Sequence, residues 1–169
     1  MIVIGLYNSE CGELVLGSVG DRLCMCDWLA RRNRKSIDAR LCRLLGCGMT
    51  EGSSPVIEQA RQELDEYFRG ERRVFSVPLL FAGTDFQKRV WQALTEIPYG
   101  TTISYSELAE RLGMPSAVRA VANANGANAI SLFAPCHRVI GSNGKLTGYA
   151  GGLEAKRYLL RREGTVLTR

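Results

Sequence analysis

The chain has 169 residues and a mass of 18.6 kDa, a size that fits one domain or two small ones packed together. Apolar residues make up 46% and charged residues 23%, which excludes a disordered tail, a collagen-like fibre and a coiled coil. No apolar run approaches the roughly 18 residues of a membrane span, and the N-terminus lacks the basic start of a signal peptide. We therefore predict a cytoplasmic protein that does not associate with a membrane.

The net charge of +5 is distributed unevenly along the chain. Residues 1–80 hold 11 basic and 11 acidic side chains, so the whole excess lies after residue 80. From Arg111 to Leu153 there is no carboxylate, whereas four basic side chains fall there: Arg111, Arg119, Arg138 and Lys145. A long surface without negative charge fits a polyanionic partner. On charge alone, a weakly basic surface without any partner is an equal alternative.

Short apolar runs separated by turn residues predict a small antiparallel sheet at the start of the chain. Three strands are expected over residues 2–7, 13–18 and 22–27, and their spacing indicates a meander. The basic run 31–35 follows, and its charges predict a solvated loop or the start of the next helix.

Two helices and a further strand are predicted in the rest of the first half. The first helix spans residues 36–45, with a core face formed by Ile37, Leu41, Leu44 and Leu45. The second helix begins after Ser54, with a proline at its first position, and ends at Phe68 before a glycine. Residues 74–80 predict a strand at a sheet edge, because Pro78 has no N–H to donate to a neighbouring strand.

The second half is predicted to be mainly helical and to contain a helix-turn-helix. Thr84 with Gln87 and Ser104 with Glu107 form capping boxes that open two helices, and Gly113 ends the second of them. The apolar face of the first helix consists of Phe86, Val90, Leu94 and Ile97.

A third helix, predicted to begin at Ser116, completes the helix-turn-helix. It is rich in small residues, which allow close approach either to another helix of the protein or to a DNA groove: Ala117, Ala120, Ala122, Ala124 and Gly126. The long stretch without carboxylates favours the DNA groove. One arginine, Arg119, among alanines indicates contacts to DNA shape and backbone with little reading of base sequence.

The cysteines favour reduced thiols and no bound metal. There are six, but the chain is long enough to bury a core unaided and carries no secretory signal. Cys24 and Cys26 are separated by one residue, whereas zinc ligands are usually separated by two to four, and His137 is the only histidine.

The segment Pro135-Cys136-His137-Arg138 has the clearest chemical meaning in the chain. A free thiol has a pKa of about 8.5, and a nearby imidazole and a nearby cation would both raise the thiolate fraction. The alternative is a buried structural cysteine beside an incidental histidine.

The segment extended to Ile140 resembles the active-site signature of the 6-O-alkylguanine-DNA alkyltransferases. Further matching motifs follow the order and spacing of that family and extend the resemblance over residues 84–164: Phe86-Gln87, Val90-Trp91, Ile97-Pro98-Tyr99-Gly100, Ser104-Tyr105, Arg119-Ala120-Val121, Asn128, Thr147-Gly148-Tyr149 and Gly151-Gly152. The N-terminal half matches only in size and in its pattern of strands and helices.

The resemblance implies an α/β (α+β) fold with two domains. Residues 1–82 would form a ribonuclease H-like domain with a small antiparallel sheet, and residues 83–169 a helical, winged-helix-like domain that contains the helix-turn-helix. The implied activity is DNA repair: the alkyl group of 6-O-alkylguanine, and of 4-O-alkylthymine, passes from double-stranded DNA to Cys136 after base flipping. The product thioether is stable, so each molecule of a monomeric protein reacts once, without a cofactor.

The resemblance also implies roles for residues at the reacting centre. Cys136 corresponds to the alkyl acceptor, and His137 to the residue that takes the thiol proton through a water molecule. Glu163 corresponds to the carboxylate that orients this histidine. Tyr105 matches the tyrosine that helps to rotate the nucleotide and hydrogen-bonds the guanine, and Asn128 the hinge between the helix-turn-helix and the active-site segment.

Other positions correspond to contacts with DNA and with the flipped base. Arg119 matches the finger that enters the base stack, with Ser116 and Ala120 beside it on the DNA-binding surface. The carbonyl of Val139 would contact the base. The guanine pocket would be lined by Lys156 and by three residues of one loop: Tyr149, Ala150 and Gly151.

Two other functions use parts of the same pattern. A thiol hydrolase with a Cys–His dyad needs a distant histidine facing the cysteine, and the chain has no second histidine. A non-catalytic sensor of alkyl lesions would use the same helix-turn-helix, but such proteins lack the cysteine, and Cys136 is present. Both features favour the alkyltransferase.

Overall fold

A computed structural model describes residues 1–167, and the first half of the chain is built on a four-stranded sheet. Its elements are β1 (Ile2–Ser9), β2 (Gly12–Val19), β3 (Arg22–Trp28), α1 (Arg34–Leu45), β4 (Met49–Glu51) and α2 (Pro55–Phe68). The strand order is β3-β2-β1-β4. The antiparallel meander β1-β2-β3 is confirmed, and β4 adds a parallel strand beside β1.

The two helices of this half start from local signals and bury one face each. α2 is capped by Ser54, whose hydroxyl accepts a hydrogen bond from the Ile57 amide at 3.2 Å, as predicted. α1 buries Ile37 and Leu41. Leu44, predicted to face the core, is 47% exposed, whereas Cys42 and Leu45 of the same turn pack against the core.

The strand predicted over residues 74–80 is wrong. This segment makes one isolated bridge to β3, in which the Leu23 amide donates to the Pro78 carbonyl and the Leu80 amide to the Leu23 carbonyl, both at 2.8 Å. Since Pro78 has no N–H, the pairing does not extend along the segment.

The second half consists of helices and one very small sheet. Its elements are α3 (Asp85–Leu94), β5 (Ile103–Ser104), α4 (Tyr105–Arg111), α5 (Val118–Gly126), a 3-10 turn (Cys136–Arg138), β6 (Val139–Ile140) and α6 (Leu153–Arg162). Both predicted capping boxes are present. α5 begins two residues later than predicted, because Ser116 and Ala117 still belong to the turn after Gly113.

The helix-turn-helix α4-α5 is fixed to its surroundings at two places. The indole N–H of Trp91 in α3 donates to the Ala124 carbonyl in α5 at 2.8 Å. β5, immediately before α4, pairs in parallel with β6, so that Ile103 lies opposite Val139 and Ser104 opposite Ile140. α4 and α5 are thereby held next to the turn that carries Cys136. Within residues 1–167, no helix has the length and apolarity needed to cross a membrane.

Candidate active site

Cys136 lies in the 3-10 turn, and its side chain is buried, with 4% of the residue exposed. Burial raises the pKa of this thiol, and the nearby Asn128, Lys156 and Ser131 act in the opposite direction without cancelling the effect. The neighbouring Lys156 acts to lower the pKa, as predicted for a nearby cation, but burial outweighs it, so the thiolate fraction of the free protein is not raised. The sulfur is held as a protonated thiol, which needs a base before it can react.

His137 supplies a neutral imidazole directly after the thiol. Its ring is fully buried, and Nε2 lies 2.8 Å from Oε2 of Glu163. Because an ionised carboxylate only accepts hydrogen bonds, Nε2 carries the ring proton. Burial lowers the pKa of His137, although Glu163 opposes this shift. Nδ1 is thus left as a basic atom, and it has no hydrogen-bond partner within residues 1–167.

Glu163 follows the last residue of α6, where the helix dipole disfavours a negative charge. Three side chains donate to it: Arg138 through Nε to Oε1 at 2.8 Å and Nη2 to Oε2 at 3.1 Å, His137, and the Tyr67 hydroxyl at 2.6 Å from Oε2. Burial acts to raise the pKa of Glu163, but His137 and Arg138 outweigh it and hold the pKa well below its usual range. The carboxylate therefore stays ionised.

Asn128 fastens the segment before Cys136 to the end of α5. Its side-chain amide donates to the Ala134 carbonyl at 2.9 Å, and its side-chain oxygen accepts from the Ile130 amide at 3.0 Å. Asn128 itself is buried. The residue predicted to be a hinge is thus held by both of its polar atoms.

Arg31 connects the N-terminal half to the end of α5. The prediction that Arg31 is exposed to solvent is wrong. The side chain is buried, pairs with Asp27 at 3.0 Å, and donates to the carbonyls of Gly126 and, at 3.0 Å, Asn128. Arg40 adds a bond to the Ala127 carbonyl at 2.9 Å. The carbonyl groups at the end of α5 that lack helical partners are satisfied in this way.

Lys156 and Tyr105 are placed around the segment that follows Cys136. Nζ of Lys156 donates to the carbonyls of Val139 at 2.8 Å and Thr147 at 2.9 Å, and burial lowers the pKa of Lys156 to about 8. The Tyr105 hydroxyl accepts a hydrogen bond from the Thr147 hydroxyl at 3.1 Å. Val139, Lys156 and Tyr105 are therefore brought together through Thr147, which the sequence had not indicated as a site residue.

The loop with Tyr149, Ala150 and Gly151 packs against Trp28 of β3. The Tyr149 ring is edge-on to Trp28, with centroids 5.8 Å apart, and to His137 at 6.4 Å. A Cβ atom on Gly151 would lie 2.5 Å from the Trp28 ring, so only glycine permits this approach. Tyr149 therefore links this loop to the His137 ring, and Trp28 of the N-terminal half supports the loop.

The predicted DNA-contacting residues lie apart from this buried group. Ser116, Arg119 and Ala120 are exposed, whereas Val121 and Ala124 turn toward the core. The first three thus form the outer side of the helix-turn-helix. Within residues 1–167 no cluster of three or more His, Cys, Asp or Glu side chains is arranged to hold a metal ion.

Three residues of the N-terminal half complete the site, and sequence reasoning missed them: Trp28, Arg31 and Tyr67. For Arg31 one signal existed, since Asp27 is a carboxylate at the end of an apolar strand and needs a cationic partner. Tyr67 and Trp28 are apolar enough to be read as ordinary core residues.

Comparisons with known proteins identify the family of this chain. Residues 85–165 match the family described as 6-O-methylguanine DNA methyltransferase, DNA binding domain, and residues 2–81 match the ribonuclease-like domain of the same protein. The methylated-DNA–protein-cysteine methyltransferase of Methanosarcina barkeri is 54% identical over 158 residues, 94% of either chain. The constitutive enzyme of that name from Bacillus subtilis is 55% identical over 108 residues, which span 63% of this chain and 66% of the relative.

Solved structures give the same result for the fold. The crystal structure of Mycobacterium tuberculosis O6-methylguanine methyltransferase shares 43% identity over 96% of this chain and 93% of its own, with a TM-score of 0.82. A crystal structure of the Mycobacterium tuberculosis protein in complex with DNA shares 42% identity over 95% of this chain and 92% of its own, with a TM-score of 0.81. The predicted α+β fold is confirmed, and it is the fold of these 6-O-methylguanine methyltransferases. The chain belongs to the methylated-DNA–protein-cysteine methyltransferase family.

Proposed function

We propose that this protein repairs DNA directly by moving the alkyl group of 6-O-alkylguanine, and of 4-O-alkylthymine, onto Cys136. The observation that carries the proposal is the buried thiol followed by a neutral imidazole, whose Nε2 is 2.8 Å from the Glu163 carboxylate. A base beside a cysteine is the arrangement that nucleophilic catalysis by a thiol requires. Membership of the methyltransferase family supplies the substrate class.

The chemical step is a displacement at the alkyl carbon. Nδ1 of His137 takes the thiol proton through a water molecule, while Glu163 keeps the other ring nitrogen protonated and stabilises the imidazolium. The sulfur of Cys136 forms a bond to the alkyl carbon as the bond from that carbon to the guanine oxygen breaks. The electron pair leaves with the guanine, and a proton then neutralises it. The thioether does not hydrolyse, so each molecule reacts once and no cofactor takes part.

Access to the lesion requires DNA binding and base flipping. The helix-turn-helix binds the duplex, and Arg119 enters the base stack, with Ser116 and Ala120 against the backbone. The flipped nucleotide lies between Tyr105 and the Val139 carbonyl, in a pocket completed by Lys156 and the loop Tyr149–Gly152. Tyr149 and Gly151 pack on Trp28, so the N-terminal half supports this side of the pocket.

The proposal extends to organisation and location. Residues 1–82 form the supporting domain and residues 83–169 the DNA-binding and alkyl-accepting domain. The protein acts as a monomer in the cytoplasm. The absence of carboxylates from Arg111 to Leu153 supports the assignment of the DNA-binding surface to the second domain.

Intact-protein mass spectrometry tests the proposal. The protein is mixed with a duplex that contains one 6-O-methylguanine, and we expect a stoichiometric gain of one methyl group, mapped to Cys136. Cys136→Ala should lose the gain and still bind the duplex. Cys26→Ala, which removes another fully buried thiol, is the matched control and should keep the gain. Binding of the lesion by the wild type without any gain in mass would instead identify a lesion sensor.

A further inference from the structure

We infer that Tyr67, in α2 of the N-terminal half, is a positioning residue for alkyl transfer: its hydroxyl donates to Oε2 of Glu163, the oxygen that pairs with His137, and so weakens the attraction of that oxygen for the imidazole proton. The inference rests on the proposed function. Its basis is the 2.6 Å hydrogen bond from the Tyr67 hydroxyl to Oε2, between two buried side chains 96 residues apart in the chain. The same oxygen is 2.8 Å from Nε2 of His137.

The hydroxyl is held in one place because aromatic rings surround it. The Tyr67 ring is fully buried, edge-on to Phe68 at 5.1 Å and to Tyr99 at 6.2 Å, and tilted against Phe75 at 5.5 Å. Such packing leaves the side chain one rotamer. The hydrogen bond to Glu163 is therefore preorganised rather than formed during the reaction.

Tyr67 competes with His137 for the negative charge on Oε2 of Glu163. Within residues 1–167, Oε1 accepts from Arg138 alone, whereas Oε2 accepts from Tyr67, His137 and, at 3.1 Å, from Arg138. Each donor to an anion reduces the charge available to the others. Without the hydroxyl, Oε2 would attract the imidazole proton more strongly, and His137 would be protonated at a higher pH.

The consequence concerns the base in the proposed reaction. An imidazole that already holds two protons cannot accept one from Cys136, so Tyr67 keeps His137 available as a base. The titratable and charged groups around the imidazole are Lys156 of α6, Glu163 directly after that helix, Arg138 and Cys136 of its own turn, and Tyr149 of the loop. Among these groups Glu163 attracts a proton to His137, and Tyr67 donates a hydrogen bond to that carboxylate.

The test uses the fact that the chain has a single histidine, so its NMR titration needs no assignment. In Tyr67→Phe we expect the His137 midpoint to rise by about 0.5 to 1 pH unit. Tyr99→Phe is the matched control: it also removes a tyrosine hydroxyl beside Tyr67, but this hydroxyl donates to the Arg162 carbonyl at 3.1 Å. Its midpoint should equal that of the wild type. In a Glu163→Gln background, Tyr67→Phe should cause no rise.

Alkyl transfer gives the second readout. In Tyr67→Phe, the acid limb of the pH–rate profile should shift to higher pH by the same number of pH units as the NMR midpoint of His137. An unchanged midpoint in Tyr67→Phe, a histidine that titrates in neither protein, or an equal rise in Tyr99→Phe overturns the inference, even if Tyr67→Phe melts at a lower temperature. Absence of transfer by the wild type would refute the proposed function instead, and the NMR comparison would still decide the role of Tyr67.

Discussion

Arg31 makes the most consequential contact between the two halves of the chain, and its removal gives a quantitative prediction. We consider Arg31→Met, which keeps a long side chain and removes the guanidinium. The substitution deletes the bonds to the carbonyls of Gly126 and Asn128 and one of the two arginine partners of Asp27. All of these groups except the Gly126 carbonyl belong to buried residues.

The magnitude follows from what remains after the change. Breaking a buried ion pair from one side costs about 3–5 kcal/mol. Here Arg34 still contacts Asp27 at 3.0 Å, which reduces that cost. The Asn128 carbonyl loses its arginine partner, and an unpaired buried acceptor costs about 1–3 kcal/mol. We expect the free energy of unfolding to fall by about 3 kcal/mol.

Urea denaturation at neutral pH measures this loss, with Arg32→Met as the matched control because Arg32 is exposed. The control should lie within about 0.5 kcal/mol of the wild type. Alkyl transfer should also slow in Arg31→Met under conditions where the variant is folded, since Asn128 positions the segment before Cys136. Equal unfolding free energies for the two variants would refute the reasoning.

Two further predictions concern charge at the site and access to the lesion. Because the pKa of Glu163 lies below its usual value of 4.5 in the folded protein, its ionisation stabilises the fold above that pH, and the contribution is lost as the pH falls below it. The stability difference between the wild type and Glu163→Gln, measured by thermal melts from pH 7 to pH 3.5, should therefore shrink in acid; a difference that is constant with pH contradicts this. Arg119→Ala should slow repair of duplex lesions at least about tenfold more than reaction with free 6-O-benzylguanine, which needs no flipping. Equal loss on both substrates would remove Arg119 from the flipping step.

Local signals predicted much of the fold because the relevant interactions are close in sequence. The Thr84 and Ser104 capping boxes involve residues three apart, and both formed as expected. The segment 74–80 failed because its apolar pattern is that of a strand, whereas pairing depends on a partner strand and on the missing N–H of Pro78. β4 has only three residues, too few to produce a periodic pattern.

The site residues likewise fall into those that the sequence indicated and those that depend on tertiary packing. Cys136 and His137 are adjacent in the chain, so a local motif indicated both. Glu163 lies 26 residues after His137, and only the family resemblance indicated it; in the structure it contacts His137. Tyr67 and Arg31 reach the site through packing of the two halves, which no local pattern encodes. The raised pKa of Cys136 could not be predicted either, because it follows from burial by the whole fold.

The pairing of β5 with β6 limits how the protein itself can move. Two consecutive residue pairs link the strand before Tyr105 to the strand after Cys136, and the Trp91 bond fixes α5 on the other side. A hinge between the DNA-binding helices and the sulfur would have to break this sheet. Under the proposed function, the spacing between α4-α5 and the sulfur is therefore set by the protein, and the deformation that brings the alkyl carbon to Cys136 falls on the DNA. Under that function, sequences that unstack easily around a lesion should be repaired faster than stiff ones.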